Sequence, residues 1–250
     1  MALLSLQTQK QKQKDGRIEG FSRAFCQLIT YPFETKKTYL QVGKAPIAFV
    51  QCYRGIFQSS ATCGLVFGAY FNIYHLVHPN PLASSIAAFI TSFMKTPIAN
   101  SMRVMQINPS HKNFLYSGYK IVKKRGMQGL YNGYGVSLLE DIIETSIRNI
   151  FYEHTKVYVA PQFGCLIGAL AGALGAALTT PFDTIRTNMA HASIQHGKKN
   201  DIFHVTTELL VSKEGTAALF RGIHLRATSN AVRYALYYLI TEYLYALQKK

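Results

Sequence analysis

Pro32-Phe33-Glu34-Thr35-Lys36-Lys37 returns near the other end of the chain as Pro181-Phe182-Asp183-Thr184-Ile185-Arg186: a proline, an acid two residues on and a base five on, closing an apolar stretch both times. A worn third copy lies between them, Pro97-Ile98-Ala99-Asn100-Ser101-Met102, where the proline is kept and both charges are gone. Gln41 and Gln106 each stand nine residues after their proline, where the last copy has Ala190. A second marker follows each copy: Tyr53-Arg54-Gly55, Tyr131-Asn132-Gly133 and Phe220-Arg221-Gly222. The prolines at 32, 97 and 181 are spaced too widely for a typical solenoid repeat, and widely enough for two membrane helices and a connector.

Composition alone leaves the class open, because 48% hydrophobic residues with a mean hydropathy of +0.05 also suit a soluble domain. The distribution is more informative. Phe163 to Thr180 runs 18 residues without a charge, the lower end of a spanning helix. Within it Gly164, Gly168, Gly172 and Ala176 recur every four residues, a small-residue stripe that lets another helix approach closely in lipid. A buried soluble helix is the competing reading, and it leaves the repeat unexplained. Applied along the chain, the repeat predicts an all-α membrane protein with six spans, Gly20–Val42, Gly55–Val77, Leu82–Met105, Val136–Val157, Phe163–Met189 and Ile223–Leu247. The corresponding units are a basic polar tail at 1–19 and repeats at 20–80, 81–160 and 161–250. Several spans carry charges, which would face a bundle interior or a wet cavity. Pro32, Pro97 and Pro181 fall inside the odd-numbered spans, where each removes a hydrogen bond and would kink the helix.

The net charge of +15 invites a nucleic-acid reading, and Lys10, Lys12, Lys14 and Arg17 form a basic tail. No zinc-ligand spacing or RNA-binding signature accompanies it, so no nucleic-acid partner is expected. Lys120, Lys123, Lys124, Arg125, Lys198 and Lys199 sit in connectors, where they suit anionic lipids at one face of a bilayer. The tail lacks the long apolar core of a secretory signal; rich in Gln and nearly free of acids, it is a targeting candidate. Cys26, Cys52, Cys63 and Cys165 show no paired metal spacing and read as packing residues. Nucleophile-elbow, zinc-protease and phosphate-loop patterns are absent, so neither an enzyme nor a cofactor or metal site is expected.

These motifs resemble the mitochondrial carrier family, from about Gly20 to Leu247. The resemblance rests on the two full proline-acid-base copies, the aromatic-basic-glycine markers, Lys213-Glu214-Gly215 leading to Phe220-Arg221-Gly222, and Tyr152-Glu153-His154-Thr155-Lys156 at the end of the fourth span. It implies six helices in three pseudo-threefold repeats around a central cavity, a monomer in the mitochondrial inner membrane, and exchange of a small solute by alternating access between two charge gates. The pattern of that family pairs the acid of one odd helix with the base of the next. Here Lys37 and Asp183 can pair, but Glu34 faces Met102 and Arg186 faces Ala99. Arg103, one residue off register, is the candidate to rescue Glu34, and Gln41 and Gln106 brace this matrix gate. At the other face the cytoplasmic gate draws on Glu153, Lys156, Glu242 and His78, with Tyr245 in the basic position on the sixth span. A weakened matrix gate and a pH-sensitive cytoplasmic gate are expected.

The spacing from proline to marker is 22, 35 and 40 residues in the three repeats, read from positions 32 and 54, 97 and 132, and 181 and 221. The first repeat therefore has little room for a matrix helix, a feature similar to carriers of the S-adenosylmethionine group. The family's contact points carry over to Thr62 and Cys63, Glu140 and Asp141, and Ser229 and Asn230. Glu140, Glu144 and Arg148 share one helix face, with Asp141 at its edge. Three acids in a span either line the cavity or are paired internally with Arg226, Arg233 or Lys95. If they line it, the field favours a cationic or zwitterionic amino-acid derivative such as S-adenosylmethionine. The alternatives are a nucleotide exchanger gripping phosphate with Arg226, Arg233, Arg148 and Lys95, and a degenerate carrier acting as a membrane scaffold.

Overall fold

The computed structural model describes residues 16–45, 48–77, 83–111, 113–155, 158, 163–195 and 201–248. Six long helices dominate it: α1 (Gly16–Gln41), α2 (Ile56–Val77), α3 (Ala83–Ile107), α5 (Tyr134–Thr155), α6 (Gly164–Ala192) and α8 (Ile223–Leu247). Two shorter helices lie in the connectors, α4 (Phe114–Arg125) and α7 (Ile202–Val211), and among the described residues there is no strand. Each long helix packs on the next and α8 returns to α1, so the six close a ring.

The ring is inside-out relative to a water-soluble bundle. On α1 the column Phe21, Phe25, Ile29 and Phe33, one turn apart, is exposed, while Glu19, Ser22, Thr30 and Thr35 on the opposite side are buried. On α6 Leu166, Leu170, Leu174 and Leu178 form a second exposed column, with Asp183 and Arg186 buried. Apolar faces turned outward and charges turned inward are the arrangement that lipid selects. Among the described helices α6 is the one long and apolar enough to cross a membrane by composition. The others fall short because they carry the interior charges or, in α2, a mixture of Gln, Ser, Thr, Asn and aromatic residues.

Each repeat proline sits inside a continuous helix. Hydroxyls near the prolines bond to helix carbonyls one turn back: Thr30 to Cys26 at 3.0 Å, Ser101 to Pro97 at 2.8 Å and Thr180 to Ala176 at 2.8 Å. Such bonds satisfy hydroxyls that lipid could not. The marker glycines Gly55, Gly133 and Gly222 have φ of +79°, +74° and +76°, a backbone region that costs other residues strain. Each glycine turns the chain from a short 3-10 helix (Phe49–Tyr53, Met127–Tyr131, Gly215–Phe220) into the following long helix. Helices α4 and α7 precede the second and third of these turns; in the first connector the described residues hold only the 3-10 helix, in keeping with its short spacing.

The small-residue stripe of α6 admits another helix closely, as expected, and that helix is α8. A Cβ on Gly168 or Gly172 would stand 2.3 Å from a ring carbon of Tyr238 or Tyr234, so these glycines seat two tyrosine rings of α8. The backbone-to-backbone approach lies elsewhere, between α1 and α2. There a Cβ on Gly20 would stand 2.7 Å from the Gly64 carbonyl oxygen, and one on Gly68 2.8 Å from that of Gly16.

Candidate functional site

The interior of the ring holds a network of acids and bases with Asp183 at its hub. Lys37 Nζ reaches one carboxylate oxygen at 2.7 Å, as the motif pairing predicts, and Gln41 Nε2 donates to the same oxygen at 2.8 Å. Arg103 Nη2 takes the other oxygen at 2.7 Å, and Arg226 Nη1 stands 3.5 Å away. Arg103 therefore does not rescue Glu34. One residue past Met102 is about 100° further round the helix, which turns the guanidinium toward α6 instead of α1. Glu34 is instead bound by Arg233 of α8, with Gln27 Nε2 donating at 2.5 Å.

Both repeat glutamines cross-link neighbouring helices. Gln41 Oε1 accepts from Thr187 at 2.9 Å and its backbone carbonyl accepts from Asn188 at 3.0 Å, tying α1 to α6. Gln106 Nε2 donates to Thr35 Oγ1 at 3.3 Å and its Oε1 accepts from Thr38 at 3.3 Å, tying α3 to α1.

The acids of α5 are committed to internal partners. Arg226 Nη2 bonds Glu140 at 2.9 Å and Glu144 at 2.8 Å, and its Nη1 also donates to the Thr179 carbonyl at 3.0 Å. Asp141 accepts from Lys95 at 2.5 Å and Ser92 at 2.9 Å. Arg186, which loses its motif partner at Ala99, turns to Glu140 at 3.4 Å and leaves its Nε and Nη2 buried without acceptors. The paired arrangement thus holds for all three α5 acids, with Arg226 and Lys95 as partners, while Arg233 serves Glu34.

Of the contact points, Asn230 accepts from Arg233 of its own helix at 2.9 Å and donates across to Glu144 at 3.3 Å, and Ser229 accepts from Arg233 at 3.4 Å. Thr62 and Cys63 on α2 are half-buried and lie outside this bonded network. Glu140, Asp141, Ser229 and Asn230 therefore belong to a network already closed on itself. Glu242 is exposed and has no ion pair among the described residues. His78, Lys156 and the side chain of Glu153 lie outside the described residues.

Two basic side chains inside the ring have no carboxylate at ion-pair distance among the described residues. Arg148 donates through Nη1 to the Tyr234 hydroxyl and lies over that ring, its guanidinium carbon 4.6 Å from the centroid. Arg23 of α1 packs on the same ring and on Phe67, at 5.4 Å from each centroid, with Nε and Nη1 buried and without acceptors. Arg23 was not among the sequence candidates, although a charge inside an expected span is a legible signal. Glu19, buried to 1% exposure, falls in the expected tail at 1–19, but α1 begins at Gly16 and includes it; it accepts from Tyr237 and, at 3.1 Å, from Tyr245. Above Arg23 and Arg148, Phe67, Tyr70 and Tyr74 of α2 stack in sequence with centroids 6.4 and 6.5 Å apart.

On the other face of the network the ends of α1, α3 and α6 and the side of α4 border an open cavity of about 490 Å³, lined by Lys44, His111, Lys120, Lys124 and His191 among others. Burial, followed by the fields of Lys120, Arg54 and Lys124, holds His111 below its ordinary value of 6.5.

A family model described as "Mitochondrial carrier protein" matches residues 77–163 and again 160–250. This chain belongs to the mitochondrial carrier family. Membership makes it a multi-pass, all-α protein of the mitochondrial inner membrane. Residues 1–76 of this carrier, which include the short first connector, lie before both matches. The carrier is 26% identical over 182 residues to a mitochondrial glycine transporter of Emericella nidulans, covering 68% of this chain and 55% of the relative. A glycine transporter of Aspergillus clavatus is 25% identical over 183 residues, 66% of this chain and 54% of the relative. The carrier thus spans about half the length of these relatives. A mitochondrial S-adenosylmethionine carrier protein of Mus musculus is 27% identical over 234 residues, covering 82% of this chain and 83% of the relative.

Proposed function

We propose that this chain exchanges a zwitterionic α-amino acid, or a derivative of one, across the mitochondrial inner membrane. Exchange proceeds by alternating access through the ring, with the six long helices acting as three repeats around a central path. The observation that carries this reading is the commitment of charge inside the ring. Glu34, Glu140, Asp141, Glu144 and Asp183 are each held by a base of the protein, and Arg23 and Arg148 are left over.

Paired acids do not supply the free negative field that would favour a purely cationic solute. Glu19 is the buried acid held by tyrosines, Tyr237 and Tyr245, in place of a base; set against Arg23 and Arg148 it leaves a surplus that is positive and small, matched to one solute carboxylate. A nucleotide exchanger was expected to grip phosphates with Arg226, Arg233, Arg148 and Lys95, but three of those four are occupied by Glu140, Glu34 and Asp141. Two remaining guanidiniums are too few to offset a nucleoside triphosphate in a low-dielectric interior. The relatives agree with the amino-acid reading, since glycine and S-adenosylmethionine share an α-amino carboxylate.

On this reading the hub around Asp183 is the matrix gate and the solute must weaken it. Its bonds to Lys37, Arg103 and Gln41 join α1, α3 and α6, so opening that side has to exchange them for contacts made only on the other side. The test is uptake into proteoliposomes preloaded with glycine, S-adenosylmethionine, basic amino acids or ATP. Exchange of glycine or S-adenosylmethionine is expected; exchange of ATP alone sinks the proposal, and exchange of none of them favours a scaffold.

A further inference from the structure

We infer that Arg23 and Arg148 together hold the carboxylate of the transported solute, with Tyr234 as the plate that positions both guanidiniums. The inference rests on the amino-acid reading above and assigns the residues that recognise the acid group. It moves that recognition away from Glu140, Asp141, Ser229 and Asn230, whose polar atoms are spent on Arg226, Lys95, Ser92, Arg233 and Glu144.

The geometry has three parts. Tyr234 is 7% exposed and its ring lies in the seat made by Gly172, so the plate is fixed from behind. Arg148 and Arg23 approach that ring from α5 and α1 with guanidinium carbons 4.6 and 5.4 Å from its centroid, which keeps the two carbons within about 10 Å of each other. The acids whose fields reach them, Glu34 and Glu144, are turned to Arg233 and Arg226.

A ring face steadies a guanidinium while leaving its in-plane N–H edge available, which a carboxylate partner would not do. On Arg23 the Nε and Nη1 are buried without acceptors, so the guanidinium holds donors that no protein group uses. Arg148 spends Nη1 on the Tyr234 hydroxyl and keeps further donors. A solute carboxylate between the two edges would accept charge-assisted bonds of about 2.7–2.9 Å from each side. The three side chains come from α1, α5 and α8, in the first, second and third repeats. A carboxylate bridging them would couple binding to the relative position of the repeats.

The experiment uses the full chain in proteoliposomes with labelled glycine and S-adenosylmethionine as probes and glycinamide, which keeps the ammonium and lacks the carboxylate, as competitor. For Arg23→Gln and Arg148→Gln the expected result is a KM raised about tenfold or more, a smaller change in maximal rate, and loss of the preference for glycine over glycinamide. Arg23→Lys and Arg148→Lys keep the charge without the fork and recover part of the affinity; they carry the test if a Gln variant does not fold. Wild-type exchange of either amino-acid probe, with KM and carboxylate preference unchanged in the variants, overturns this inference alone. A fall in maximal rate at constant KM overturns it too, by showing that the arginines only support the fold. If the wild type exchanges neither probe, the amino-acid reading itself falls, and this inference falls with it.

Discussion

Around Asp183 one carboxylate serves Lys37 and Arg103, with Arg226 at its edge; around Tyr234 two guanidiniums share no carboxylate at all. Both regions hold buried arginines inside the same ring. The first is crowded with opposite charges and cross-linked by Gln41, so its free energy is spent within the protein. The second replaces the missing acid with aromatic faces, which stabilise a cation less than an ion pair does and leave donors without a protein acceptor. Buried charge that the protein neutralises itself is structural, and buried charge that it leaves half-neutralised is where a solute can bind.

The comparison is broken most severely at the hub. Asp183→Asn strands Lys37 and Arg103 without a counter-ion, and removing one partner of such a buried group costs about 3–5 kcal/mol; thermal unfolding in detergent should show the largest drop of any variant discussed. Gly172→Ala comes next. Its Cβ would meet the Tyr234 ring at 2.3 Å, so either the ring or the helix shifts, at about 1–3 kcal/mol. Solute affinity should fall in that variant while the Asp183 hub, on other turns, is unaffected.

A double-mutant cycle sharpens the pairing. Glu34 and Arg233 should show coupling of about 0.5–3 kcal/mol, whereas Glu34 and Arg103, which turn to different partners, should be additive within error. Tyr70→Leu separates solutes: S-adenosylmethionine adds to the shared α-ammonium a sulfonium cation suited to the Phe67, Tyr70 and Tyr74 series, so its exchange should weaken more than that of glycine.

The smallest effect is at His111, outside the ring. Because its folded value lies below 6.5, the unfolded chain takes up the proton first as pH falls, and stability is lost on going below pH 6.5 with no contribution above it. Melting curves at pH 7.5 and 5.5 should differ slightly less for His111→Gln than for wild type.

The repeat made most of the architecture legible, because proline, glycine and spacing act through the backbone. The expected spans lie within a few residues of the observed helices, and the marker glycines hold the left-handed turns that open α2, α5 and α8. Side-chain partners were less legible. The Lys37–Asp183 pair follows from two matched motifs, but the choices of Arg103 and Arg233 depend on helix rotation and reach, which no spacing encodes. The role of Tyr234 was hidden further, since its seat is a glycine on another helix, and a Gly-every-four stripe looks the same whether it receives a backbone or a ring.

The partners inside the ring are also far apart in time of synthesis. Lys37 waits 146 residues for Asp183, Glu34 waits 199 for Arg233, and Glu19 waits 218 for Tyr237. Helix α1 therefore carries a base that waits for α6 and acids that wait for α8. It cannot settle alone in the bilayer as a finished unit, and the chain has to be kept from lipid, or from itself, until its two ends can be brought together.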